Sequence, residues 1–346
     1  MESRHRIGLW ARSCLAAAVG LSLAACGGGG GDDGGQIPPP GEIDLTASNQ
    51  DSVTAAAAVA VQGGLVINSV GLTGGGSAGT AAVGKVLQSA SRKAVAALPA
   101  GRKQADGLID VSSLFGCASG TVTATLDDRD NSLSVTVGDV LSATFGNCQV
   151  DPASDELLNG SMAATYTNVV QSPLTVGANV SVANLRDSSQ QAGRSMTLNG
   201  GFTLSYVEPN ASTSTTQITV PSALSLQVVH PLYQDTVGLQ PGYALTLYYD
   251  SATPPGAASG GRTIIEAVGK VSSARAGGVF NVWSQPPGLD FWDIDPYPRS
   301  GQVLLQGRNG AIMLTVLSTT TVRVELDANG DAVYEASKDV LWESLI

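Results

Sequence analysis

From Asp106 onward the chain is written in period two. Val122, Ala124 and Leu126 alternate with polar residues over Thr121–Leu126. Leu133, Val135 and Val137 do so over Ser132–Val137, and Leu141, Ala143 and Phe145 follow. Comparable runs occupy Ser161–Val170, Ser195–Val207, Gln217–Val229, Tyr243–Tyr249, Thr263–Val271, Gly301–Gln306, Ala311–Leu317 and Thr320–Leu326. Successive side chains on a strand point to opposite faces, so each run has one apolar and one polar face. Gly, Pro, Asn and Asp punctuate the runs, and Val and Thr fill them. The pattern predicts a mainly β body over 106–346, with many short antiparallel strands arranged as a barrel or a sandwich. A body of that size is within reach of one all-β domain. Leu158-Asn159-Gly160-Ser161 is echoed by Leu198-Asn199-Gly200-Gly201, which suggests a repeated hairpin entry.

The segment 44–105 differs in composition. Ala55–Ala58 and Thr80–Leu98 are rich in helix formers, and Leu65–Leu72 reads as a short strand. In the second helical stretch Val83, Val86, Leu87, Ala90, Ala94, Val95 and Leu98 form an apolar stripe. Arg92, Lys93, Arg102 and Lys103 gather near its end, where the helix dipole favours cations. A small Ala-rich α/β portion is therefore expected ahead of the β-body.

Charge narrows the function classes. The 346 residues carry a net charge of −11, and 14% of them are charged. Nucleic-acid binding through phosphates needs clustered Lys and Arg, which this chain lacks. A hydrophobic fraction of 43% is enough for a core and too much for a disordered chain. Two His residues leave little for a His-based metal site.

The N-terminus has a specific pattern. Arg4, Arg6 and Arg12 precede a short apolar run from Cys14 that is too short for an ordinary membrane span. The run ends in Leu23-Ala24-Ala25-Cys26, which resembles the lipobox of bacterial lipoproteins. The resemblance covers residues 1–26. It implies that 1–25 is a signal peptide, that the Cys26 thiol receives diacylglycerol and that the new amine is acylated. Several acyl chains give firm anchoring, each buried CH₂ contributing about 0.8 kcal/mol. Gly27 follows the lipidated Cys, where Asp would favour the inner membrane, so the resemblance leans to an outer-membrane lipoprotein. Residues 26–43, with a Gly tract and Pro38–Pro40, read as a tether whose Gly part is flexible and whose Pro part is stiffer.

With Cys14 removed and Cys26 lipidated, Cys117 and Cys148 remain as one pair, which in an exported protein reads as a disulfide. The strand segment bracketed by this pair, the Val137-Gly138-Asp139 turn and the closing Val322–Asp327 strand broadly resemble the β-rich lipoproteins of proteobacteria. That resemblance implies no activity.

Several motifs invite sharper readings. Gly74–Val86 meets the glycine spacing of a dinucleotide fingerprint, most of a phosphate loop and an esterase elbow at Ser77. Val86 stands where a phosphate loop needs Ser or Thr, and no βαβ series follows. The plainer reading is a Gly-rich turn that binds no nucleotide. A serine hydrolase would need Ser77 with His230 as its base, and a lone His at a strand end is more often structural.

Trp283, Phe291, Trp292 and Tyr297 concentrate aromatics among acidic residues and prolines. They suit a sugar-stacking site, but a lid over one end of the β-structure is the stronger reading. Asp327, Asn329, Asp331 and Glu335 alternate oxygens as in the start of a calcium loop, and Asp128, Asp130, Ser132 and Asp139 do so partially. Against calcium, Ala332 and Lys338 replace the Gly and the final acid of that motif. Asn329-Gly330 between alternating runs is also a strong hairpin signal, and the hairpin without a cofactor takes precedence.

The function expected from all this is a membrane-anchored, non-enzymatic envelope protein that binds a partner or an envelope component. A carrier of an apolar ligand within the β-body is the alternative, and a cavity rather than a filled core would favour it.

Overall fold

In the computed structural model the described residues are 42–69, 108–115, 117–132, 134–149, 155–189, 193–251, 261–292, 295 and 297–345. The lipobox, most of the tether, Ser77 and the helical stretch Thr80–Leu98 lie outside them. Among the described residues one α-helix, α1 (Gln50–Ser69), is followed by seventeen strands. These are β1 (Leu108–Asp110), β2 (Ser119–Asp127), β3 (Val140–Gln149), β4 (Glu156–Gln171), β5 (Leu174–Ser189), β6 (Arg194–Asn210), β7 (Thr213–Thr219), β8 (Leu224–His230) and β9 (Tyr233–Leu239). They continue with β10 (Ala244–Asp250), β11 (Arg262–Ser273), β12 (Gly278–Ser284), β13 (Leu289–Trp292), β14 (Gln302–Gln306), β15 (Ala311–Val316), β16 (Thr321–Asp327) and β17 (Ala336–Leu341). The fold is mainly β and antiparallel, as the alternation predicts.

The connectivity is a meander. β1 to β6 pair in succession. β6 then pairs with β7 along one half and with β8 along the other. Likewise β11 receives β10 and β9 on one side and β12 and β13 on the other. The short strands are therefore halves of longer ones. The run Gln217–Val229 divides at Val220–Ala223, where Pro221 withholds a ladder donor. From β12 the sheet continues through β14, β15, β16 and β17.

The face turned inward is apolar along every long strand, and its residues join one core with α1. Val53 to Val61 of α1 are buried on all sides, as expected of a helix apolar all round. The helix packs on β9, β11 and β15. Its Ala run keeps it thin enough for the curled sheet to accommodate. Asn49 secures the entry, accepting the Thr46 N–H at 2.9 Å and donating to the Asp44 carbonyl at 2.8 Å. The preceding residues are stitched to late strands. The Ile43 N–H donates to Val279 O, the Arg308 N–H donates to Ile43 O, and Leu45 exchanges hydrogen bonds with the Asn309 side chain.

Three expectations are corrected. Leu65–Ser69 is helical rather than a strand. A short apolar run suits either state, and extending an existing helix costs less than starting a strand. Ser132 and Ser134–Val137 lie outside any strand, and the Asp128, Asp130 and Asp139 carboxylates take the Ser132 and Thr136 N–H groups away from any ladder. The Leu-Asn-Gly echo is not a hairpin entry but a line of mid-strand bulges. The Asn159 Oδ1 accepts the Asn147 N–H at 2.8 Å, and the Asn199 Oδ1 accepts the Asn184 N–H at 2.7 Å. Asn147 and Asn184 have φ of 48° and 50°, and register shifts at these points link β3 through β6. Gly160 is required there: a methyl group would lie 2.1 Å from the Asn184 carbonyl oxygen. Bulges strengthen twist, so this line creases the longest strands of the sheet.

Cys117 and Cys148 form the expected disulfide, with Cα atoms 5.2 Å apart, beside that crease. No helix among the described residues is long and apolar enough to cross a membrane.

Candidate functional site

Strand parity disperses the aromatic segment. Phe291 points inward and is buried in the core, while Trp292, one residue on, lies partly exposed under the Arg299 guanidinium at 4.4 Å. Tyr297 stacks on the buried Trp342, ring centres 6.1 Å apart. These three residues are thus engaged by the protein's own side chains. Trp283 alone stays available, 52% exposed on the outer face of β12.

Register places Trp283 in a row across the sheet. Val268 of β11 is opposite it on one side and Leu304 of β14 on the other, and Leu304 faces Met313 of β15. The adjoining outer-face positions carry carboxamides. Asn281 precedes Trp283 by two and faces Gln306, and Gln285 follows by two and donates its N–H to Gln302 O. The Gln302 side chain donates to Thr315 Oγ1 at 3.1 Å. Beside this row, Gln285, Pro286, Pro287, Ser300, Gln302 and Thr315 border an open cleft of about 320 Å³. These amides were not singled out in the sequence. Each facing pair is 17 or 25 positions apart in the chain, on or just beyond β12 and on β14, and only the register brings them together.

The two acidic loops are built alike. Asp327 is buried, and its Oδ1 accepts the Asn329 and Gly330 N–H groups while its Oδ2 accepts that of Ala332. Asn329 and Asp331 accept the Asp331 and Val333 N–H groups, and Glu335 accepts that of Ala328. The chain thus leaves β16 by an eight-residue loop, 328–335, not by a tight Asn-Gly turn. In the other loop, buried Asp139 accepts from Arg129 and Thr136, and buried Asp128 accepts from Ser132. Hydrogen bonds from Ser132 and Thr136 pull Asp130 down to about 2. Carboxylates of Asp327, Asp331 and Glu335, and of Asp128, Asp130 and Asp139, gather within 4.8 Å of one another. Such oxygens suit a hard cation, and here each set also has a complete task in ordering its own loop.

His230 ends β8 and is engaged at both ring nitrogens. Its Nδ1 accepts the Leu232 N–H at 3.2 Å, so Nε2 carries the proton, which it gives to Glu343 O at 3.2 Å. Desolvation lowers its pKa, against a hydrogen bond to the Glu343 backbone that raises it. The neighbouring Tyr233, under the Arg275 guanidinium, donates to Leu345 O. His230 therefore fastens the C-terminal segment to the β8–β9 turn. Compared with known protein families, curated proteins and solved structures, the chain matches none of them.

Proposed function

We propose that this chain is an envelope lipoprotein, held at the outer membrane by acyl chains on Cys26, whose β-body binds a partner or an envelope component without catalysing a reaction. The observation that carries the binding reading is the filled interior. α1 and inward side chains such as Tyr166, Phe202, Tyr243 and Phe280 occupy the space inside the curled sheet. A carrier keeps that space for its ligand. The engagement of both His230 nitrogens further disfavours a serine hydrolase with Ser77, because a general base needs a free acceptor. The lipobox and Gly27 support the anchoring and its address.

Two measurements test the reading. Globomycin, which blocks the lipoprotein signal peptidase, is expected to make an unprocessed form accumulate, and Cys26→Ser to release the protein from membranes. A Cys26→Ser protein that still sediments with membranes refutes the anchor. Organic extraction of the purified protein followed by mass spectrometry is expected to yield no stoichiometric apolar compound, and finding one restores the carrier.

A further inference from the structure

The outer face around Trp283 carries an apolar row flanked by carboxamides. Its apolar row is one residue wide and crosses β11, β12, β14 and β15 as Val268, Trp283, Leu304 and Met313. At about 4.8 Å per strand the row is roughly 14 Å long. The flanking positions on the same face, about 7 Å away along the strands, carry Asn281 and Gln306 on one side and Gln285, Gln302 and Thr315 on the other. Charged residues border this set: Lys270 faces Asn281 and pairs with Glu42, Arg323 faces Thr315 and pairs with Asp339, and Glu325 faces Met313. The second flank opens directly into the cleft bordered by Pro286, Pro287 and Ser300.

We propose that this face binds a neutral saccharide chain. The inference deepens the binding reading above and rests on it. An exposed indole offers a flat apolar surface to the C–H face of a pyranose ring. Carboxamides carry two donors and an acceptor side by side, which matches vicinal hydroxyls that both give and take hydrogen bonds. An anionic ligand would find the bordering cations already engaged, Lys270 by Glu42 and Arg323 by Asp339, in a protein whose net charge is −11. A protein partner would require a broader apolar centre than a stripe one residue wide, since standard interfaces cover about 800 Å² per side. The stripe and its continuation into the cleft have the shape of a linear ligand lying across the strands, with Trp283 at its middle and the Gln285–Gln302–Thr315 flank guiding one end.

The test uses the full-length, detergent-solubilised lipoprotein with maltohexaose, cellohexaose and N-acetylchitohexaose as probes, followed by titration calorimetry and tryptophan fluorescence. At least one probe is expected to bind saturably below about 1 mM. Trp283→Ala is expected to weaken that binding by about tenfold or more, and Gln302→Leu by about threefold or more. Both side chains are exposed, so melting temperatures should stay unchanged. No saturable binding by any of the three probes overturns the proposal, as does binding that survives Trp283→Ala. A dimer seen by sedimentation and lost in Trp283→Ala, without saccharide binding, assigns the face to a second copy and also overturns it. Globomycin sensitivity and membrane fractionation of Trp283→Ala report separately on the anchor, so failure of the saccharide site is distinguishable from failure of the lipoprotein reading.

Discussion

Asp187 offers a test of the inward face that reads out in pH. It lies on β5 between Leu158 of β4 and Met196 of β6, both buried, in the stretch of inward positions that includes Leu185 and Ser189. Desolvation there, reinforced by the Glu156 charge, raises its pKa to about 7 from an ordinary 3.8. An acid raised in this way binds its proton more tightly in the folded chain than in the unfolded one. Stability is then highest below the unfolded pKa, falls as pH rises from about 4 to about 7, and is level above that. A shift of roughly three units corresponds to at most about 4 kcal/mol, and the partial exposure of the side chain reduces this to about 2–3 kcal/mol. Asp187→Asn keeps the shape and removes the titration. Urea unfolding of both proteins across pH 4 to 8 should give nearly equal stabilities at pH 4 and a variant more stable by that amount at pH 8. Other carboxylates titrate in both proteins and cancel in the difference. If the two stability curves run parallel, Asp187 is not desolvated and the face it occupies is not closed.

Three further expectations follow from the strands and loops. Gly160→Ala forces a methyl group onto the Asn184 carbonyl at a φ of 102°, and it should cost about 3 kcal/mol or more by denaturant unfolding, whereas Gly138→Ala, with φ of 99° and open space around it, should cost only about 1 kcal/mol. Replacing Cys117 and Cys148 with Ser should lower stability by about 3–4 kcal/mol, and two thiols titrating in the unreduced denatured protein would rule the bond out. Asp327→Ala orphans three backbone N–H groups and should destabilise by about 2–3 kcal/mol. Because that loop is capped from within, melting in EDTA and in millimolar calcium should coincide, and a higher midpoint in calcium would give its oxygens to a cation instead.

Alternation made most of the sheet legible, since period two follows from strand geometry alone. β1, β5, β9, β12, β13 and β17 were not read from it. β5 does bury Val176, Ala178, Val180 and Val182 in alternation, so its pattern was present but unread, whereas β17 carries a half-exposed Lys338, paired with Asp51, on the face where an apolar residue would have marked the strand. The 132–137 stretch alternates as well as any strand, yet nearby Asp side chains outcompete a ladder for its backbone. Leu-Asn-Gly was seen as a repeat and misread, because only the paired strand reveals that each Asn caps a bulge in its neighbour. The aromatic segment was legible as a cluster in sequence, but adjacent strand residues face opposite ways, so Phe291 went to the core and Trp283 to solvent. The amides around Trp283 depend on register between distant strands, which no local pattern encodes.

The stitching of Ile43 and Leu45 to Val279 and Asn309 decides where tension goes. A pull on the N-terminus, the end the lipobox would fix to a bilayer, reaches the middle of the sheet at β12 and the β14–β15 turn, not the strands at its margins. Margins peel one hydrogen bond at a time under modest force. A helix seated inside a curled sheet must instead be dragged out whole, with Lys270 gripping Glu42 and Arg308 gripping Asp44 at the mouth. Anchored in that way, the body would hang from its centre, and shear would be resisted by its most deeply seated element while the outer face around Trp283 stays in place.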